Sequence, residues 1–329
     1  MKENPISFQM KLNPDDFLPA TNEEKESLVV MRESVSFWKD GFRRLRKNKV
    51  AMVSLVVIIL IMILSFIVPS FYPYSYKTQI KGANNLAPMQ YSADELARID
   101  AGESVFPHIL GTDKMGRDYA IRVMMGSRIS LLVGLIATAI IFVIGSLIGS
   151  ISAFFGGWVD LIIMRIVDII STIPLTLYVI LIMQVLGAGI QSIIVALGSV
   201  YWVDMARVVR GQILSLKQQE FVLAAKTIGS SATTILFDHL IPNALGSILV
   251  TITMLIPSAI FMEAFLGYLG IGLQPPLASL GTMCNDASAN LRTSPHELLI
   301  PALMICVIMF AFNFVGDGLR DALDPKLKK

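Results

Sequence analysis

The residue types able to do chemistry are thinly spread in this chain. Its three histidines, His108, His239 and His296, are far apart and form no His-Glu-x-x-His pair for zinc. Cys284 and Cys306 fit neither a disulfide framework nor a metal cluster, which needs several ligands at close spacing, and both read as packing residues. No Gly-x-x-x-x-Gly-Lys-Ser/Thr occurs, and the dipeptide Gly-Lys is absent throughout, so the usual cradle for ATP phosphates is missing. The chain is therefore expected to bind no cofactor or metal itself. An intramembrane enzyme is disfavoured, because no nucleophile stands with its base.

Ionisable groups in apolar sequence are a different signal. Asp160, Arg165 and Asp168 share one apolar stretch, and each would cost roughly 3 kcal/mol at mid-bilayer, so they are expected near a membrane surface. Arg165 and Asp168, spaced i, i+3, suit a structural ion pair, with a part in gating as the competing reading. Asp204 with Arg207 invites the same two readings. Glu263 and Gln184 are candidates for facing a polar pathway, against the plainer alternatives of an interhelical hydrogen bond or an interfacial position. Pro174, Pro257 and Pro301 remove helical donors and predict kinks or passive packing features.

The elements that must position these groups are membrane helices. Of 329 residues, 54% are hydrophobic and only 16% charged, against about 25% charged in an ordinary soluble domain. The net charge of +2 gives no ground for nucleic-acid binding. Uncharged stretches of about 20 residues, enough to cross a roughly 30 Å hydrocarbon layer, predict an all-α polytopic protein of about six transmembrane helices. They run over Val50–Val68, Ile129–Phe155, Trp158–Leu186, Ile190 to about Arg210, Leu240 to about Phe265, and Leu298–Gly316. Only Gly187-Ala188-Gly189 separates the third from the fourth. The first, with many Leu, Ile, Val and Phe residues, gains about 6 kcal/mol on insertion. A polar tail precedes it, so it is not a cleavable signal peptide.

Lys and Arg cluster before Val50, after the fourth span (Arg207, Arg210, Lys217, Lys226) and at the C-terminus, which predicts both termini cytoplasmic in a multi-pass protein. The expected organisation is a cytoplasmic tail over 1–49, a first span at 50–68, an external segment at 69–128, a core over 129–318 and a second cytoplasmic tail at 319–329. Lys114, Arg117, Arg122 and Arg128 oppose this by placing positive charge outside. Trp38, Phe42 and Leu45, at i, i+4, i+7 among basic residues, suit a short helix on the membrane surface or a flanking stop signal. Nothing in residues 1–36 suggests a packed domain.

The segment from Ser215 to Gly229 is too short and too charged to cross. Ser215 with Gln218 matches a capping box, and Gly229 suits the left-handed position that ends a helix. Phe221, Ala224, Ala225 and Ile228 fall on one apolar face at i, i+3, i+4, i+7. That face has two equal readings from periodicity: it fits the groove of a partner, or it packs on the chain's own membrane domain.

Glu220-Phe221-Val222-Leu223-Ala224-Ala225, then Gly229, then His239-Leu240-Ile241-Pro242-Asn243, resembles the EAA loop of ABC-importer permeases. The run from His108 to Asp118, Gly126-Ser127-Arg128-Ile129-Ser130-Leu131, Ala206 to Gln212, and Phe312-Asn313 with Gly316 to Pro325 are similar to the C-type permease subunit of the dipeptide/oligopeptide branch, and the likeness covers most of the chain from about Phe37. The departures are Leu223, where the motif usually has an acidic residue, and Phe265 and Gly267 in the run after Glu263.

The resemblance implies a type I ABC importer permease fold in a bacterial cell membrane. It implies that Glu220, Phe221, Leu223, Ala224, Ala225, Ile228, Gly229 and Pro242 form the coupling helix and its surroundings, docking on an ATPase subunit. It also implies a homologous permease as heterodimer partner, two ATP-binding subunits that hold ATP and Mg2+, and an external or periplasmic peptide-binding protein. Within the branch, nickel chelates or glutathione are alternative cargoes. A secondary, ion-coupled transporter is the rival mechanism; it would show midplane ion sites and repeated halves, and the sequence has no clear internal repeat.

Overall fold

A computed structural model describes residues 37–323. The chain divides into two units, Met1–Asp40 and Gly41–Lys329. Only the opening turn of the first helix is described in the former, and the latter holds the membrane bundle. The tails 1–36 and 324–329 lie outside the described residues, and with them most of what was expected of both termini.

Helix α1 (Phe37–Lys47) carries the predicted basic stretch; Phe42 is exposed and Leu45 half-buried, and the side chain of Trp38 is outside the description. Asn48 then starts α2 (Lys49–Phe66) by accepting from the Ala51 amide at 3.1 Å. A folded cap over residues 68–118 follows, with α3 (Ala93–Asp100) inside it. Beyond it come α4 (Tyr119–Phe155), α5 (Gly157–Thr172), α6 (Leu175–Leu186), α7 (Ile190–Leu216), α8 (Glu220–Thr227), α9 (Ile241–Tyr268), α10 (Leu280–Ser288) and α11 (Pro295–Leu323). Among the described residues, five helices are long and apolar enough to cross a membrane, or six spans if the bent pair α5–α6 counts as one.

Several boundaries differ from the sequence reading, each for a physical reason. The second span begins at Tyr119, ten residues before Ile129, because Asp118 caps it by accepting from the Ile121 amide at 3.0 Å. The stretch Trp158–Leu186 is two helices bent by 88°. Pro174 has no N–H and holds Ile173 in an extended conformation (φ −87°, ψ 124°), so α5 stops there. The fourth helix runs past Arg210 to Leu216, and the last runs from Pro295 to Leu323, so part of the expected C-terminal tail is helix. Gly187, at φ 83°, ends α6 where the glycine turn was expected.

The bundle is built around α4, which packs along α7, with α9, α2 and α5 also against it. The α4–α7 approach is close. A side-chain carbon at Gly149 would lie 2.4 Å from the Ala206 carbonyl oxygen, so the two backbones meet there through glycine, as small residues allow between membrane helices. α11 packs on α9 and α2, and α10 closes over α9 and α11. One apolar core, including Leu131, Ile260, Leu280 and Ile308, lies toward the cap; a second, including Met205, Ile213, Leu240 and Ile248, lies toward α8. Large apolar side chains remain exposed along α2, α5, α6 and α11, as in a bundle whose solvent is lipid.

Candidate functional site

The connection between α7 and α9 sits at the end of the bundle opposite the cap. α8 is shorter than expected, eight residues from Glu220 to Thr227, and the capping box of Ser215 with Gln218 does not form. Ser215 is inside the last turn of α7, which continues because Ile213 and Leu216 pack into the core shared with Val222 of α8. Tertiary burial outweighs the local cap signal. Gln219 is the N-cap, without a side-chain bond. The other end is as expected: Gly229 has φ 83°, its amide donates to the Lys226 carbonyl at 3.0 Å, and the Ser230 amide donates to Ala225 at 3.0 Å. That pair of bonds is a Schellman ending, which glycine adopts without a Cβ penalty.

The predicted apolar face is split. Val222 and Ala225 are buried against Ile213, Ile235, Leu236 and Leu240. Phe221, Leu223 and Ile228 are 39%, 54% and 84% exposed, and Ala224 is exposed beside them. Periodicity grouped Ala225 with Phe221, Ala224 and Ile228, but Ala225 turns inward with Val222, a residue that reading had left out. One side of the helix therefore packs on the chain's own bundle, and the other side is exposed. Pro242 is exposed in the first turn of α9, just after a π-helical turn at Ile235–Leu240. Asn243 donates there to the His239 carbonyl at 2.6 Å.

Polar ties fix the helices beside α8 and the connection leading into it. Lys217 donates to the Phe154 and Ala153 carbonyls at 2.6 and 3.3 Å, placing a cation on the C-terminal end of α4. Arg210 grips Asp160 with two nitrogens, one at 2.6 Å, joining α7 to α5. Arg165 and Asp168 lie 3.8 Å apart and more than half exposed, a pair of little energetic weight. The tie between helices is instead Arg207, which reaches Asp168 at 3.3 Å, Ser171 at 2.7 Å and Asp204 at 3.4 Å. Sequence spacing found the pairs within one helix and missed those between helices.

Glu263 is enclosed in the bundle. It is 1% exposed, enclosed by α4 and α10, and accepts from the Ser130 hydroxyl at 2.6 Å. The interhelical hydrogen bond, the plainer of its two readings, is the one observed. Gln184 is exposed on α6, within the arm that the 88° bend turns aside.

At the opposite end, the expected external segment is a compact cap. Its signature run His108 to Asp118 supplies most of the internal bonds. Both ring nitrogens of the fully buried His108 face carboxylates, Asp118 at 2.7 Å and Glu95 at 3.1 Å, while Tyr74 stacks on the ring at 4.5 Å. Asp113 accepts from Arg117 at 2.7 Å and Arg122 at 2.6 Å, all three buried. Thr112 donates to the Ala83 carbonyl and accepts from the Leu86 amide. A side-chain carbon at Gly111, where φ is 79°, would fall 2.2 Å from the Leu86 carbonyl oxygen. The positive charges that opposed an external placement are thus largely matched: Arg117 and Arg122 on Asp113, Lys114 at 3.9 Å from Asp286, and Arg128 over the Phe66 ring at 5.2 Å.

The bundle of long apolar helices with one short amphipathic helix between spans is the fold of a polytopic membrane protein, and the solved inward-facing MetNI methionine ABC transporter has a similar fold. Against one of its chains the TM-score is 0.52 at 19% identity, covering 62% of this chain and 96% of that one. Residues 145–329 match the family described as binding-protein-dependent transport system inner membrane component, and residues 36–88 match the N-terminal TM domain of oligopeptide transport permease C. The chain belongs to this family of transport-system membrane components. It is 47% identical to the oligopeptide transport system permease protein OppC of Bacillus subtilis, over 95% of this chain and 97% of that one. It is 42% identical to the dipeptide permease DppC of the same organism, over 96% and 94%, and to OppC of Escherichia coli K12, over 89% and 93%.

Proposed function

We infer that this chain is a transmembrane permease subunit of an ATP-driven oligopeptide or dipeptide importer in a bacterial inner membrane. It forms half of the translocation pathway beside a homologous permease, and α8 seats in a cleft of an ATP-binding subunit. ATP and Mg2+ are held by the two ATPase partners, a peptide-binding protein delivers cargo from outside, and both termini are cytoplasmic. The kinship with OppC and DppC over nearly the whole chain supports the cargo class.

One observation carries the coupling role: Phe221, Leu223, Ala224 and Ile228 stand exposed on a helix that is itself anchored to the bundle by Val222, Ala225 and the Schellman ending. A rigid element offering an apolar row to solvent suits helix-in-groove recognition. Force applied to α8 passes through Lys217 to the end of α4 and through the shared core to α7. Leucine at 223, where the motif usually has an acid, makes this contact more apolar.

Phe221→Asp or Ile228→Asp, alone, should lower ATPase co-purification at least tenfold and abolish ATP-dependent peptide uptake into vesicles, since a lost buried anchor at an interface costs about 2 kcal/mol. Ala232→Ser, beyond α8, should do neither. Normal uptake with ATPase bound to both Asp variants would refute the docking role.

A further inference from the structure

A groove of about 540 Å³ opens between α7, α9 and α11 at the α8 end of the bundle. Along α9 its wall is one helical face: Ser247, Thr251, Met254 and Ser258 fall within a narrow arc at 100° per residue. Thr251 donates its proton to the Ser247 carbonyl at 3.0 Å, and Ser258 donates to the Met254 carbonyl at 3.1 Å. With their protons committed to the helix, these hydroxyls present acceptor lone pairs to the groove. Gln212 of α7 adds an amide, and Arg320 of α11 is the cation on the lining. Arg320 is exposed and makes no ion pair with a described residue. The same face of α9 changes character farther from α8, where exposed Phe261 and Phe265 stack at 6.3 Å, so the polar strip ends where the aromatic pair begins. A guanidinium and an amide facing hydrocarbon would be costly, so this face suits water and a polar solute better than lipid.

We propose that this strip is the wall along which the peptide passes in this chain's half of the pathway: hydroxyl oxygens accept from peptide N–H groups, and Arg320 receives the peptide carboxylate at the inner mouth. The proposal rests on the peptide-importer reading. To test it, cysteine replaces Thr251 in a chain also carrying Cys284→Ser and Cys306→Ser. The chain is assembled with its partners in vesicles and treated from the α8 side with membrane-impermeant thiol reagents, one anionic and one cationic. Thr251→Cys should react with both, and saturating transported tripeptide should slow the reaction about threefold or more. A Leu303→Cys control on the exposed apolar flank of α11 should stay unmodified. Adding Arg320→Gln should lower the ratio of anionic to cationic rates about threefold, because a single charge at a confined mouth biases local ion concentration. An unreactive Thr251→Cys, a rate indifferent to peptide, or a ratio unchanged by Arg320→Gln overturns the proposal in an assembly that takes up peptide. An assembly of the unaltered chain that takes up no peptide overturns the functional reading itself.

Discussion

At the scale of single residues, His108 is the most demanding group. Only an imidazolium can donate to Asp118 and Glu95 together. Burial alone would lower its pKa, but the hydrogen bond to Asp118 and the charges of Glu95 and Asp118 outweigh it and raise the value above 6.5. For Glu95, burial pushes upward, yet the Ser92 amide and hydroxyl and then His108 bring the net value below 4.5. The other groups facing the cluster are Tyr74, its phenol pushed up to about 12 first by burial, Tyr72, raised mainly by burial, and Arg98, paired with Glu103. The signs follow from linkage. The contribution of His108 is complete below its ordinary pKa and is lost as pH rises through the raised one. That of Glu95 is complete above its ordinary pKa and is lost as pH falls through the lowered one. Amide protection factors in residues 80–118, with the intrinsic pH dependence of exchange divided out, should therefore be highest between these limits and fall on the alkaline side. His108→Gln should remove that alkaline limb and destabilise the cap by about 3 kcal/mol, the cost of removing one member of a buried charged cluster; an unchanged pH profile in the variant would exclude an imidazolium. The importance of His108 to Asp118 was legible in the sequence only as a resemblance. Its physics was not, because the partners of His108 lie ten and thirteen residues away and are chosen by how the cap loops fold.

At the scale of elements, what could be read locally was read well. The apolar spans, the glycine stop at Gly187 and the helix end at Gly229 depend on a few adjacent residues. What depended on tertiary packing was not legible: the start of α8, the inward turn of Ala225, and the cross-helix grip of Arg210 on Asp160. Pro174 announced a kink, but a right-angle arm needs neighbours that hold it. Pro174→Ala would restore a donor and release Ile173 toward helical geometry, so a spin-label distance between positions 162 and 181 should lengthen as α5 and α6 straighten; an unchanged distance would assign the bend to packing alone. Gly149→Val should force α4 and α7 apart and lower stability in detergent by about 1–3 kcal/mol, measured as a fall in Tm. A Tm within error of the parent would show that the helices can slide to absorb the methyl groups.

At the scale of the whole molecule, the placement of charge orients the bundle. Arg207, Arg210, Lys217, Lys226 and Arg320 gather at the α8 end, while most cap cations are matched by carboxylates or an aromatic ring. By positive-inside bias this distribution supports the proposed orientation, with α8 in the cytoplasm and the cap outside. In a chain carrying Cys284→Ser and Cys306→Ser, Met89→Cys in the cap should label on intact spheroplasts and Ile228→Cys only after permeabilisation. The reverse pattern would invert every assignment of side. In the sequence the four cap cations Lys114, Arg117, Arg122 and Arg128 opposed this orientation, and what matches them was not legible, because the cap folds to bring their partners together. α4, at 37 residues, is about 55 Å long and so overshoots a roughly 30 Å hydrocarbon layer. Gripped near one tip by Lys217 and rooted at the other beneath the cap, it is a stiff beam with a handle at each end: swinging it 10° about its middle would carry both tips some 5 Å in opposite directions, at about 1.5 Å of beam per residue. A push at the α8 end would then be felt at the cap end without any message relayed through loops.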